Sequence, residues 1–315
     1  MKFSITIPAY KVRYLKEAIE SVLSQTYTDW ELVIVDDCSP ENIKAAVAPY
    51  LTNSRIRFYR NHQNCGAVDV VDNWNICLSY STGDYIICMG DDDRLLPCCL
   101  EEYMKLIDKR PGLNVYHART EIIDEKGVTI NLQEPRPEWE SLLSLIWNRW
   151  AARNKQYIGD FCYKTSYLKE AGGYYKLPLA WGSDDITATL AARGKGIANT
   201  EQFCFQYRES AMTISSSSCH SKQKILATLE QYNWFLSLLE ELRHENLSTT
   251  DIKYLQTIDV PRQEYYQNSL ANDCIAYMKG RPDRLAWCMR QLKLFNYSKI
   301  TMLKWYIKSI NGIFS

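Results

Sequence analysis

The 315-residue chain has no excess of charge of either sign: Lys plus Arg and Asp plus Glu stand at 37 each. No global field gathers nucleic acid, which is not expected as a partner, and any anion site must be built locally. No apolar run approaches the ~18 residues that span a bilayer, so a soluble or peripheral protein is expected. The 11 cysteines follow neither metal-finger spacing nor a secretory leader, because the opening MKFSITIPAY reads as a core strand. Reduced thiols and a cytoplasmic location are the expectation. The adjacent Cys98-Cys99 read as two small hydrophobes in a helix rather than as a redox or metal pair. Internal repeats are absent, and the one low-complexity tract, Ser215 to Ser218, reads as a flexible loop. Flat amphipathic surface is plentiful, with 22 Tyr and 9 Trp, which suits a carbohydrate or nucleobase site and equally a tyrosine-rich core.

The first hundred residues alternate strand and helix signals. Phe3 to Ile7 is a short apolar strand, followed by Leu15, Ala18, Ile19, Val22 and Leu23 at helical spacing. Leu32 to Val35 is long enough for a buried parallel strand and ends in Asp36-Asp37. A strand near Ile56 to Tyr59 precedes a helix through Leu78, a break at Ser81-Thr82-Gly83 and a fourth strand, Tyr85 to Met89, which runs into Gly90-Asp91-Asp92-Asp93. Pro97 is placed to open the next helix, and further strands are predicted at Asn114 to His117 and Phe161 to Tyr163. This alternation predicts an α/β fold with a Rossmann-like, mostly parallel sheet flanked by helices, whose ligands bind outside the carboxyl ends of the strands. From about Lys222, Ile225, Leu226, Leu229, Phe235, Leu238, Leu239 and Leu242 fall at helical spacing, which predicts a helical C-terminal appendage. The chain thus divides into 1–220, with halves 1–97 and 98–220, and a helical region 221–315. The stretch from Ile300 to Phe314 interleaves apolar residues with Lys304 and Lys308; it reads as a membrane-surface helix, or as one packed on its own domain or on a partner in a homodimer.

Three acidic clusters carry the candidate chemistry. A hard divalent cation, Mn²⁺ or Mg²⁺, is commonly held by one or two carboxylates, with phosphates and water completing its shell, so Asp91, Asp92 and Asp93 at a strand end have a suitable form. Asp36-Asp37 either accepts hydrogen bonds from a base edge and ribose or caps a helix beginning near Pro40. Tyr10, after Pro8-Ala9, either stacks on a nucleobase or packs inward. Asp184-Asp185, ahead of Ile186 and Leu190, either removes a proton from an acceptor, helped by mutual elevation of the pair's pKa, or caps a helix.

In order, Ser4 to Tyr10, Ser21 to Tyr27, Glu31 to Ser39, Asn64-Cys65-Gly66, Asn73-Trp74-Asn75, Ser81 to Ile86, the acidic run and Leu95-Leu96-Pro97 resemble the family 2 glycosyltransferases of the GT-A fold. Leu168 to Tyr174, leading to Asp184-Asp185, resembles the family's acceptor-side segment. The resemblance covers about two thirds of the chain and fades after Ser218. It implies a nucleotide-binding half (1–97) and an acceptor half (98–220). It also implies an inverting, metal-dependent transfer from a nucleoside-diphosphate sugar, first of all a UDP-sugar, to a hydroxyl of a glycan or lipid-linked acceptor in cell-surface polysaccharide synthesis. On that resemblance Pro8, Tyr10, Asp36 and Asp37 hold base and ribose, Asp91 touches ribose or metal, and Asp92 is the main metal ligand. Asp185 is the general base with Asp184 beside it, and Arg208 contacts the diphosphate from a loop, before Met212-Thr213, that orders over the donor.

Three positions depart from the family pattern: Lys11 stands for Asn, Gly90 for the first acid of Asp-X-Asp, and Asp184 for Glu. Gly90 shifts the metal signature to Asp91-Asp92 or Asp91-X-Asp93. Two other readings stand beside transfer. A sugar-phosphate nucleotidyltransferase needs a Gly-rich basic loop after the first strand, which Ile7 to Lys11 lacks. A catalytically inactive sugar-nucleotide or glycan-binding module has no need of a base at Asp185.

Overall fold

The structure is a computed structural model that describes residues 1–210, 219–295 and 297–311. The Ser215 to Ser218 run and Met212-Thr213 lie outside these residues. Ten strands are described: β1 (Phe3–Ala9), β2 (Trp30–Asp36), β3 (Ile56–Arg60), β4 (Tyr85–Cys88), β5 (Arg94–Leu95), β6 (Val115–Ile123), β7 (Thr129–Leu132), β8 (Trp139–Glu140), β9 (Phe161–Lys164) and β10 (Ile197–Arg208). Between them run α1 (Leu15–Leu23), α2 (Ile43–Val47), α3 (Val70–Tyr80), α4 (Cys99–Lys109), α5 (Leu142–Trp150), α6 (Thr165–Glu170) and α7 (Ser183–Ala192). The chain continues as α8 (Ser221–Leu242), α9 (Thr249–Thr257), α10 (Asp259–Met278), α11 (Pro282–Gln291) and α12 (Lys299–Asn311).

All strands join one sheet in the order β3-β2-β1-β4-β9-β6-β10-β5, with β7 beside β6 and β8 beside β10. β1 to β4 are parallel, and the apolar runs of β2 and β4 are buried on both faces, which is why they read as continuous rather than alternating. The sheet is mixed beyond β4, because β9 inserts antiparallel between β4 and β6, and β5, β7 and β8 also pair antiparallel. The prediction of a mostly parallel sheet therefore describes the first half only. The register Ala9↔Asp36 brings the ends of β1 and β2 side by side, and β4 ends beside Thr6. Tyr10, Asp37 and the acidic turn after β4 consequently leave the sheet along one edge.

Pro97 does not open a helix. α4 starts at Cys99, with Cys98 at its N-cap, and the Pro97 carbonyl instead accepts the Thr26 amide (2.9 Å). Asn42, not Asp36 or Asp37, caps α2, its side chain accepting the Ala45 amide. Among the described residues no two cysteines are joined by a disulfide.

Among the described residues two large apolar cores flank the sheet, beside a small cluster of Val33, Val35 and Cys77. Phe3, Ile5, Ile7, Leu15, Ile19 and Tyr103 lie on one face. On the other, Trp74, Ile86, Phe161 and Ile186 are continuous with Phe235, Tyr266, Leu270 and Met302 of the C-terminal helices. The expected helical C-terminal region is present, and its apolar faces bury against the acceptor half and share its core. None of the described helices is long and apolar enough to cross a membrane.

Candidate functional site

The turn after β4 assigns different work to its three aspartates. The Asp91 carboxylate accepts the backbone amides of Tyr10 and Lys11, at 2.7 Å each, and so ties the turn to the end of β1. Asp93 accepts the Arg208 amide (2.9 Å), which ties it to the end of β10. Asp92 folds back over Gly90, where an added Cβ would stand 2.8 Å from Asp92 Oδ1 and 2.9 Å from Asp93 Oδ2. A side chain at position 90 would occupy the space into which these two carboxylates converge, so the glycine in place of the usual acid has a steric reason.

Burial pushes all three carboxyls up, Asp91 to about 6 with the charge of Asp92 as second cause. Lys11 and Arg208 pull Asp92 the other way. Among the described residues no group of three or more His, Cys, Asp or Glu is arranged to hold a metal ion. Asp92 with Asp93 offers a two-carboxylate set, which fits a hard cation that draws the rest of its shell from phosphate oxygens and water.

Along the same edge Tyr10 is 42% exposed at the end of β1, and Pro8 precedes it, half-buried. Asp36 is fully buried, accepting the Ser39 amide (2.8 Å) and pairing with Arg60. Asp37 accepts Asn61 Nδ2 (2.8 Å) and the Cys65 amide (3.0 Å), which shapes the loop beside Gly66. The pair thus braces the ends of β2 and β3, with Asp37 the nearer to the surface.

Arg208 is placed beneath the acidic turn rather than in an open cleft. Its side chain is fully buried and stacks over Tyr14 (4.1 Å to the ring centre). It donates to the Asp92 carbonyl (2.7 Å), to the carbonyls of Asp124 (3.1 Å) and Glu125 (3.4 Å), and to Glu17 (2.7 Å). In this conformation the guanidinium is enclosed by protein acceptors, not offered to a diphosphate.

A cleft of about 1040 Å³ runs from Asp93 to Asp184 and Asp185 in the first turn of α7. Arg149 grips Asp185 through two hydrogen bonds, Nε to Oδ1 (2.9 Å) and Nη2 to Oδ2 (3.3 Å), and lies over the Tyr265 ring (5.2 Å). Gln231 donates to the same carboxylate (3.2 Å), and Tyr265 is in hydrogen-bonding contact with it. Gly182, at the start of α7 with φ +88°, leaves room for this approach, since a Cβ there would lie 2.2 Å from Gln231 Nε2. Arg149, Gln231 and Tyr265 were not among the residues expected from sequence. They come from α5, α8 and α10, and no local motif marks them.

Asp184 accepts the Asp185 amide (2.9 Å), and its carboxyl is pushed up to about 8, by burial first and Asp185 second, against the pull of Arg149. The native state therefore keeps a proton here that the unfolded chain releases near its ordinary value. The resulting stabilisation is complete below that value and is lost as pH rises through about 8. Asp184→Asn is accordingly expected to gain melting temperature relative to wild type as pH goes from about 5 to about 9. Thermal unfolding across that range checks it, and a pH-independent difference would refute the elevated carboxyl.

The glycosyl transferase family 2 model matches residues 4–167, more than half of the chain. EpsE of Bacillus subtilis (strain 168), assigned as a glycosyltransferase, is 34% identical over 130 residues, 40% of this chain and 46% of that one. The Escherichia coli UDP-Glc:alpha-D-GlcNAc-diphosphoundecaprenol beta-1,3-glucosyltransferase WfgD is 29% identical over 134 residues, 42% of this chain and 51% of that one. The chain spans about half the length of these curated relatives. Staphylococcus aureus TarS (1–349), solved with UDP-GlcNAc, superposes with TM-score 0.63 and 16% identity over 99% of this chain and 91% of its own, a likeness of fold that includes the helical region. With the acidic turn and the α7 acids at opposite ends of one cleft, on a sheet of this topology, the chain belongs to glycosyl transferase family 2 and has its GT-A fold.

Proposed function

We propose that this chain transfers a sugar, with inversion, from a nucleoside-diphosphate sugar, first of all a UDP-sugar, to a hydroxyl of a glycan or lipid-linked acceptor in cell-surface polysaccharide synthesis. The observation that carries this reading is the single cleft joining the acidic turn to Asp185. Breaking the donor's bond leaves charge on a diphosphate, while making the new bond requires a proton acceptor beside the incoming hydroxyl. Carboxylates that would hold a divalent cation at one end of the cavity, and a carboxylate base at the other, meet the two needs without a covalent intermediate. Names among the relatives support the class: WfgD acts with UDP-Glc on a lipid diphosphate, and TarS was solved with UDP-GlcNAc.

In this reading Asp185 takes the acceptor's proton, and Arg149 and Gln231 fix the direction of its lone pairs. Tyr10 stacks on the base, with Pro8 and Asp37 beside it and Asp36 bracing that wall. Asp92, with Asp93, would hold Mn²⁺ or Mg²⁺, which when bound supplies positive charge for the departing diphosphate. Asp91 and Arg208 set the shape of that turn. The stacked rings of Tyr157 and Tyr207 (3.8 Å apart), both on the cleft wall, offer a platform for a sugar face.

The deciding experiment is thermal unfolding with a panel of UDP-, GDP- and dTDP-sugars plus Mn²⁺, because a ligand that binds only the native state raises its melting temperature. A UDP-sugar is expected to stabilise most, and stabilisation is expected to weaken in Asp92→Ala. Transfer should cease in chelator; full activity there would sink the metal role. Stabilisation by no sugar nucleotide, together with pyrophosphate release from a nucleoside triphosphate and a sugar phosphate, would replace transfer by nucleotidyl transfer. Stabilisation without any donor hydrolysis or transfer would leave a binding module.

A further inference from the structure

We infer that the outer face of α12 is a docking surface for an anionic lipid bilayer. The helix is apolar on two sides. Its inner side is accounted for: Met302 is buried, Trp305 and Tyr306 pack against the core shared with α10, and the Tyr306 hydroxyl donates to the Gly280 carbonyl (2.8 Å). Its outer side carries Ile300, Leu303, Ile307 and Ile310, exposed by 67%, 52%, 49% and 57%. Spacings of three, four and three residues place them in one line along the helix. A helix that covers a core with one face ordinarily turns a polar face outward. Single exposed aliphatics are unremarkable, but four in a line form a patch.

The margins of the stripe identify what covers it. On helical spacing Lys304 and Lys308 fall along one edge and Lys299 along the other, and all three are exposed. From Arg284 to Ser315 the chain has no Asp or Glu but six basic residues, Arg284, Arg290, Lys293, Lys299, Lys304 and Lys308, in a protein that is neutral overall. A second copy docking isologously would set these lysine margins against one another with no acid to answer them. Anionic headgroups complement them, and the lysine stems reach upward while the aliphatic line sits at the acyl boundary.

The docking itself does not depend on the transfer reading, but its use does. α10 contacts α12, and Tyr265 and Ser269 of α10 wall the cleft at the Asp185 end. One continuous helix therefore connects the lipid-facing surface to the acceptor wall, which suits an acceptor carried on lipid.

The test is co-sedimentation of the full chain, without donor, with phosphatidylcholine vesicles and with vesicles about one third phosphatidylglycerol. Partition into the anionic vesicles that weakens with salt is expected. Leu303→Ser and Ile307→Ser should each lower it by about tenfold or more at unchanged melting temperature. Lys304→Gln and Lys308→Gln should each lower it about fivefold, on anionic vesicles only. No partition into either vesicle, or partition indifferent to the aliphatic substitutions, overturns the inference. So does a dimer in sedimentation velocity that Leu303→Ser dissociates while vesicles go unbound, which would give the stripe to a second copy.

Discussion

Asp185→Asn is expected to cut transfer by at least ~100-fold, the scale of a general base, while thermal stabilisation by the donor persists. Asn keeps the shape of the side chain and one acceptor oxygen for Arg149, but it cannot take the acceptor's proton. The loss should therefore fall on kcat and leave KM nearly unchanged. Asp184→Asn is the matched control. Its carboxyl, pushed up to about 8, already holds its proton at neutral pH, so a smaller loss is expected there. Equal rates for wild type and Asp185→Asn would remove the base, and a larger loss at Asp184 would exchange the two roles. Arg149 makes the outcome more informative. A fork of two hydrogen bonds from Arg149 fixes the direction of both Asp185 oxygens, and Asn at 185 can keep only one of them.

The half of the fold built on β1 to β4 was legible because β1, β2 and β4 each stop at a polar signal, at Tyr10, Asp36-Asp37 and the acidic turn. The mixed half was not. β9 is four residues long, and a short apolar run does not declare whether it will pair parallel or antiparallel. The periodicity of α8 showed that the helix has an apolar face without showing which core receives it, so its part in the cleft through Gln231 stayed hidden. Three adjacent aspartates likewise look alike in sequence. Their separation into a tie to β1, a tie to β10 and one carboxylate turned over Gly90 depends on backbone direction at the turn. Asp185 could be named from resemblance, but its grip by Arg149, 36 residues away, and Gln231, 46 away, is a product of tertiary packing.

Arg208→Met should cost about 3 kcal/mol of stability, a fall of roughly 6–12 °C in melting temperature. The substitution keeps much of the apolar volume and deletes four hydrogen bonds. Glu17 adds little to the cost, because its side chain is 43% exposed and water can replace its partner. The larger share comes from the carbonyls of Asp92, Asp124 and Glu125, which converge on one buried guanidinium and lose their common donor in a part-buried place. Arg208→Lys should rescue little of this, since a single ammonium cannot reproduce a planar fork that reaches three chain segments. A second readout separates this brace from a direct diphosphate contact. As a brace, Arg208 holds the Asp92 backbone in place, so Arg208→Met should both lower the melting temperature of the free protein and weaken metal-dependent donor stabilisation. As a diphosphate contact only, it would leave the free protein's melting temperature unchanged. Melting curves with and without donor and Mn²⁺ decide between the two, and an unchanged free protein would move Arg208 from under the turn into the cleft.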